Sequence, residues 1–146
     1  MQFYTLNQIL NDLTTICAAH AQIKQFEFGE VYDISASEQQ KYPLVWADIL
    51  PSNIADKALN LNMLIKVMDI QRADQTNERD TLSDTLSIAQ DVYAALNNPI
   101  YQDYFTILPI VNLTPIREGL PDLVNGWDMT LNFELAQTKN RCQIPT

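Results

Sequence analysis

The amino-acid sequence predicts an α+β fold, a mostly antiparallel sheet of about five strands with two helices packed on one face. Three observations carry this expectation. Two segments repeat apolar residues at helical spacing, Leu6 to Cys17 and Leu82 to Leu96. The segment Trp127 to Leu135 alternates apolar and polar residues without a fault. The run Leu59 to Ile70 alternates as well, although its second face turns from polar to mixed.

The first helix is marked by Leu6, Ile9, Leu10, Leu13, Ile16 and Cys17, which form one apolar stripe. Thr5, with Gln8 three residues on, reads as a capping box. The helix is expected to fade near Ala21 or Gln22. A strand follows through Phe26 and Phe28 and on to Val31–Ile34, with Gly29 as a bulge. Ser35 to Lys41 is polar and loop-like. Tyr42 to Leu50 is the next strand, with Pro43 at its start, and Pro51-Ser52-Asn53 ends it.

In the long third strand, Leu59, Leu61, Met63, Ile65 and Val67 share one face, and Asn60, Asn62, Leu64, Lys66 and Met68 share the other. Unbroken, it would be about 40 Å long, the width of a domain of this size. A bend or break near Met63 is the alternative. Gln71 to Asp80 reads as a charged loop. The second helix starts there, capped by Asp80 or Thr81, with Asp84 in its positive first turn. Its expected buried stripe is Leu82, Leu86, Ala89, Val92, Tyr93 and Leu96, and Asn97-Asn98-Pro99 stops it. Ile100 to Phe105 allows one short turn. Thr106 to Leu113 is strand-like but interrupted by Pro109, and Pro115 to Gly126 reads as a long loop. In the closing strand, Trp127, Met129, Leu131, Phe133 and Leu135 face one way. Asp128, Thr130, Asn132 and Glu134 face the other. A slip of one residue would turn the whole apolar set to water, so the register is strongly specified. Short loops between the first three strands favour an antiparallel meander.

The 146 residues are expected to form one domain, with 136–146 as a C-terminal extension. Such a chain needs neither disulfide nor metal to hold a core. Cys17 and Cys142 lack zinc spacing and are expected to be free thiols in a reducing compartment. Met1 to Thr5 lacks the basic n-region of a signal peptide, and no stretch approaches a membrane span. With 9 basic against 18 acidic residues the net charge is −9. That balance argues against general affinity for nucleic acid or anionic membranes, which rests on Lys and Arg.

No catalytic constellation stands out. The one histidine, His20, is expected at a helix end without a nucleophile beside it. Glu78, Asp80, Asp84 and Asp91 gather around the second helix, but capping and dipole complementarity explain them, and no Ca²⁺-loop pattern is present. The glycines Gly29, Gly119 and Gly126 are isolated, so no phosphate loop can be written. Trp46 and Trp127 lack interleaved basic residues and read as core or interface. The expectation is a protein that is not an enzyme and holds no cofactor or metal.

The element order, together with Tyr42-Pro43-Leu44-Val45-Trp46 and the closing Gly126 to Leu135 followed by Lys139 to Pro145, resembles the tail-terminator and neck (head–tail connector) ring proteins of tailed bacteriophages, of the type found in phages of Bacteroidetes hosts. That resemblance implies a structural virion protein, made in the host bacterial cytoplasm, that forms a six- or twelve-fold homo-oligomeric ring. Its neighbours would be portal, neck or tail proteins, and DNA would pass without specific binding. The candidate interface residues are Arg72, Asp74, Glu78, Arg79, Asp128, Thr130, Asn132, Glu134 and Arg141. The alternative is a small cytoplasmic protein-binding adaptor domain with no virion role. A third class is an enzyme whose site is completed between subunits.

Overall fold

The computed structural model describes residues 3–30, 41–70, 76–117 and 124–136. Among them are two α-helices, α1 (Leu6–Ala19) and α2 (Glu78–Leu96). There are seven strands: β1 (Gln25–Phe28), β2 (Leu44–Ile49), β3 (Asn53–Ala55), β4 (Ala58–Ile70), β5 (Phe105–Ile107), β6 (Asn112–Ile116) and β7 (Val124–Ala136). A 3₁₀ turn at Pro99–Tyr101 follows α2. The fold is α+β, with a mostly antiparallel sheet and both helices lying on it.

The sheet runs β1-β2-β4-β7-β5, with β3 added to β4 and β6 to β7. Its spine is the pairing of β4 with β7 over all 13 residues of each, from Ala58↔Ala136 to Ile70↔Val124. The long strand therefore does not break at Met63. Register explains why. Leu61, Met63, Ile65 and Val67 lie across from Phe133, Leu131, Met129 and Trp127, so two apolar alternations share one face. That face, with Val45 and Ala47 of β2, meets Ile9, Leu13 and Cys17 of α1 and Ile88, Ala89, Val92 and Leu96 of α2. Phe105, set edge-on to Phe133, closes the core beside Tyr4 and Tyr101. α2 packs on β7 and β4, and α1 on β1 and α2.

The capping box at Thr5 and Gln8 is formed in full, and α1 ends at Ala19, with His20 extended at its C-cap. Leu6 of the expected stripe is exposed. α2 departs further from expectation. It begins at Glu78 rather than after Asp80 or Thr81, and its buried line is Thr81, Thr85, Ile88, Ala89, Val92 and Leu96. Leu82, Leu86 and Tyr93 are only half-buried. The two threonines can take core positions because each hydroxyl donates to a carbonyl one turn back, Thr81 to Asn77 (2.8 Å) and Thr85 to Thr81 (2.7 Å).

The antiparallel meander is overturned at its first step: β1 pairs with β2 in parallel, Gln25↔Leu44 to Phe28↔Ala47. The connection 29–43 is long enough for the crossover that a parallel pair requires. A hairpin was also hidden in what reads as a strand end. β3 turns through Asp56, whose φ is +53°, and Lys57 onto β4. Pro109 splits the expected Thr106–Leu113 strand into β5 and β6. Pro115 and Ile116 belong to β6, and Val124 to Gly126 to β7, so both ends of the expected Pro115–Gly126 loop are strand. The expected Val31–Ile34 strand and the extension beyond Ala136 lie outside the described residues.

Candidate functional site: the open face of the sheet

On the face of the sheet opposite the two described helices, the strand period places the other half of each alternation. On β4 it carries Asn60, Asn62, Leu64, Lys66 and Met68, and on β7 Asp128, Thr130, Asn132 and Glu134. These cross-strand neighbours form a polar ladder: Asn60↔Glu134, Asn62↔Asn132, Leu64↔Thr130 and Lys66↔Asp128. β2 adds Trp46 beside Lys66 and Asp48 beside Leu64, and β1 adds Glu27 beside Trp46. Four of the nine expected interface residues, Asp128, Thr130, Asn132 and Glu134, are therefore brought together here.

One end of this face is apolar. Leu44, Trp46, Met68 and Val124 form a second buried cluster with Tyr42 and Ile116 against it. The indole N–H of Trp46 donates to the Gly29 carbonyl (3.0 Å). Next to the cluster Lys66 Nζ meets Asp128 Oδ1 at 2.7 Å, with the lysine side chain 11% and the aspartate side chain 28% exposed. An ion pair this sheltered is held by mutual need: either charge alone would be stranded beside apolar walls. At the other end, Asn62 donates to the Pro51 carbonyl and Asn60 to Asn53, so the β2–β3 corner is stitched by amide side chains. The face has one lysine among these residues against Glu27, Asp48, Asp128 and Glu134, so its sign is negative.

Glu78 and Arg79 sit elsewhere, at the start of α2, where Glu78 pairs with Arg117 of the β6 end (3.5 Å). A groove of about 290 Å³ lined by Lys66, Pro115, Ile116, Arg117 and Asp128 joins this corner to the open face. Arg72, Asp74 and Arg141 lie outside the described residues.

His20 has a partner that no local pattern could reveal. Its Nε2 lies 2.9 Å from Asp91, 71 residues away on α2, while its Nδ1 accepts the Gln22 amide (3.1 Å). Both ring nitrogens are engaged, and the ring links the end of α1 to α2. Tyr4 donates to Asp12, and burial first, then that bond and charge, raise its phenol. Burial pushes the Cys17 thiol up to about 12, which keeps it protonated and unreactive. Among the described residues no group of three or more His, Cys, Asp or Glu could hold a metal ion. No helix among them is long and apolar enough to cross a membrane. No protein-family model and no curated protein matches the chain.

Proposed function

We propose that this chain is a structural subunit that assembles with copies of itself into a ring, of the kind that joins or completes a phage tail and lets DNA pass. The observation that carries the reading is the open face: a sheet side with no helix over it among the described residues, polar along most of its length and negative in sign. Such a face repels phosphate and offers few Lys or Arg contacts for a duplex to hold. Turned inward, it would line a channel with little adhesion, while the helix layer forms the outer wall. The chain's net charge of −9 acts in the same direction.

In this reading the loops at the strand ends would meet portal, neck or tail proteins above and below. Native mass spectrometry of the purified chain, and microscopy of virions carrying it, test the reading. A closed six- or twelve-fold ring supports it. A chain that stays monomeric at high concentration and is absent from purified particles overturns it.

A further inference from the structure

We infer that copies of the chain join edge to edge, β6 of one against β1 of the next, so that their sheets become one. This rests on the self-assembly proposed above and names the surfaces that would carry it. Among the described strands, β1 has β2 as its one neighbour, and β6 has β7. A strand paired on one side directs alternate N–H and C=O groups outward, ready to pair again. Among the described residues neither edge is covered by another strand. Glu27 and Phe28 are exposed, as are Asn112, Leu113, Thr114 and Pro115. Nor is β6 guarded by charge, since Asn112–Ile116 contains no Lys, Arg, Asp or Glu and only Pro115 withholds a donor.

The register makes the two edges fit each other. One row crosses the sheet as Phe26, Val45, Val67, Trp127 and Pro115. The next is Glu27, Trp46, Lys66, Asp128 and Thr114, and a third is Phe28, Ala47, Ile65, Met129 and Leu113. β1 and β6 thus occupy the same rows. One parallel and three antiparallel steps leave them running in opposite directions. A second copy that continues the rows lays its β1 antiparallel to β6, the stronger pairing.

That placement also answers two exposed apolar side chains. Phe28 is 43% and Leu113 39% exposed, both on the helix side of the sheet. Across the joint they become direct cross-strand neighbours, an aromatic–aliphatic pair of the sort that stabilises sheets. Phe26 meets Pro115, and Glu27 meets Thr114. Two rows beyond Phe26 and Pro115, past Gln25 and Ile116, Lys24 meets Arg117, a like-charge pair that ends the ladder there. The contact is head-to-tail, with a different surface on each side, and so gives a ring where the rotation closes and a filament where it does not.

The test is the double variant Phe28→Cys/Leu113→Cys, with Cys142→Ser to remove a competing thiol. Within one chain the two positions are four strand spacings apart, about 19 Å, too far to bridge. Across the joint they are within disulfide reach. Mild oxidation is expected to give a ladder of covalent oligomers on a non-reducing gel that collapses with reductant, while each single variant stops at dimers. Both substitutions are at exposed positions, and an unchanged melting temperature confirms the fold. Native mass spectrometry of the parent chain separates the two readings. An assembled parent with no ladder overturns this joint and leaves the ring. A monomeric parent with no ladder overturns both. A ladder from open filaments upholds the joint and overturns the ring.

Discussion

Lys66 and Cys17 show how single side chains set the conditions under which this protein is stable. Lys66 is 9% exposed and held by Asp128 at 2.7 Å. Asp128→Leu would leave the ammonium buried without its counter-charge, and is expected to cost about 2–3 kcal/mol. The double variant Lys66→Met/Asp128→Leu removes both charges and is expected to recover most of that loss, since apolar replacement of a whole buried pair is near neutral. Urea midpoints of the parent, both single variants and the double variant give the coupling. Cys17 works through protons. Its folded value of about 12 lies above the ordinary thiol value. Between the two, the folded state binds the proton that the unfolded state releases, so stability falls as pH rises. The contribution is complete below about pH 8 and declines by at most about 1.4 kcal/mol per pH unit above it. Cys17→Ala is expected to lose stability at pH 7 through its cavity, and to show a flatter decline between pH 8 and 10 in the same urea series. Asp69 has the same sign at acid pH. Burial chiefly, with the Asp84 charge adding, raises its carboxyl despite the opposing bond from the Ile70 amide. Asp69→Asn is therefore expected to stabilise the protein at pH 7 and to lose that advantage at pH 3.

At the scale of elements the β4–β7 pair governs the fold, and Gly126 is its tightest point. A Cβ built there would lie 1.9 Å from the Val67 carbonyl oxygen, a backbone atom that cannot swing aside. Gly126→Ala is expected to cost at least about 2 kcal/mol and to open the Val124 end of the pair, read as faster amide exchange at Val67 and Met68. Sequence reading found this pair because both strands alternate over many residues, so Leu61 to Val67 and Trp127 to Leu135 have only one way to bury their apolar sets. It found α1 for the same kind of reason, one stripe and one capping box. It missed what alternation does not encode. β1 is only four residues long, and nothing in Gln25–Phe28 tells a parallel neighbour from an antiparallel one. β3 and β6 are short edge strands exposed along most of their length, so burial leaves no mark on Asn53–Ala55 or Asn112–Ile116. In α2 the threonine hydroxyls satisfied by the helix's own carbonyls let the buried line run through Thr81 and Thr85, where a hydropathy reading prefers Leu82 and Leu86. The open face was legible as the polar half of the β7 alternation, whereas the Asp91 clamp on His20 spans 71 residues and has no local sign.

The whole molecule carries a net charge of −9, and that field must be overcome each time a copy is added. Five strands from β1 to β6 set neighbouring copies about 24 Å apart. The Debye length is about 30 Å at 0.01 M salt and about 8 Å at 0.15 M, so the repulsion is felt in the first case and largely screened in the second. An edge joint made of backbone hydrogen bonds and a Phe28–Leu113 contact gains nothing from low salt. Its association constant is therefore expected to rise by about tenfold between these two conditions, as read by sedimentation velocity. A joint built on opposite charges would show the reverse slope, and that result would contradict the edge pairing. Lys24 separates the local contact from the global field. Lys24→Glu makes every copy more negative, which by net charge alone weakens assembly. At the joint it replaces the like-charge meeting with Arg117 by an opposite pair. At 0.15 M, where the distant field is screened and the neighbouring pair is not, the local term is the larger and Lys24→Glu is expected to tighten assembly. Weaker assembly of that variant at 0.15 M would mean that Lys24 and Arg117 do not meet.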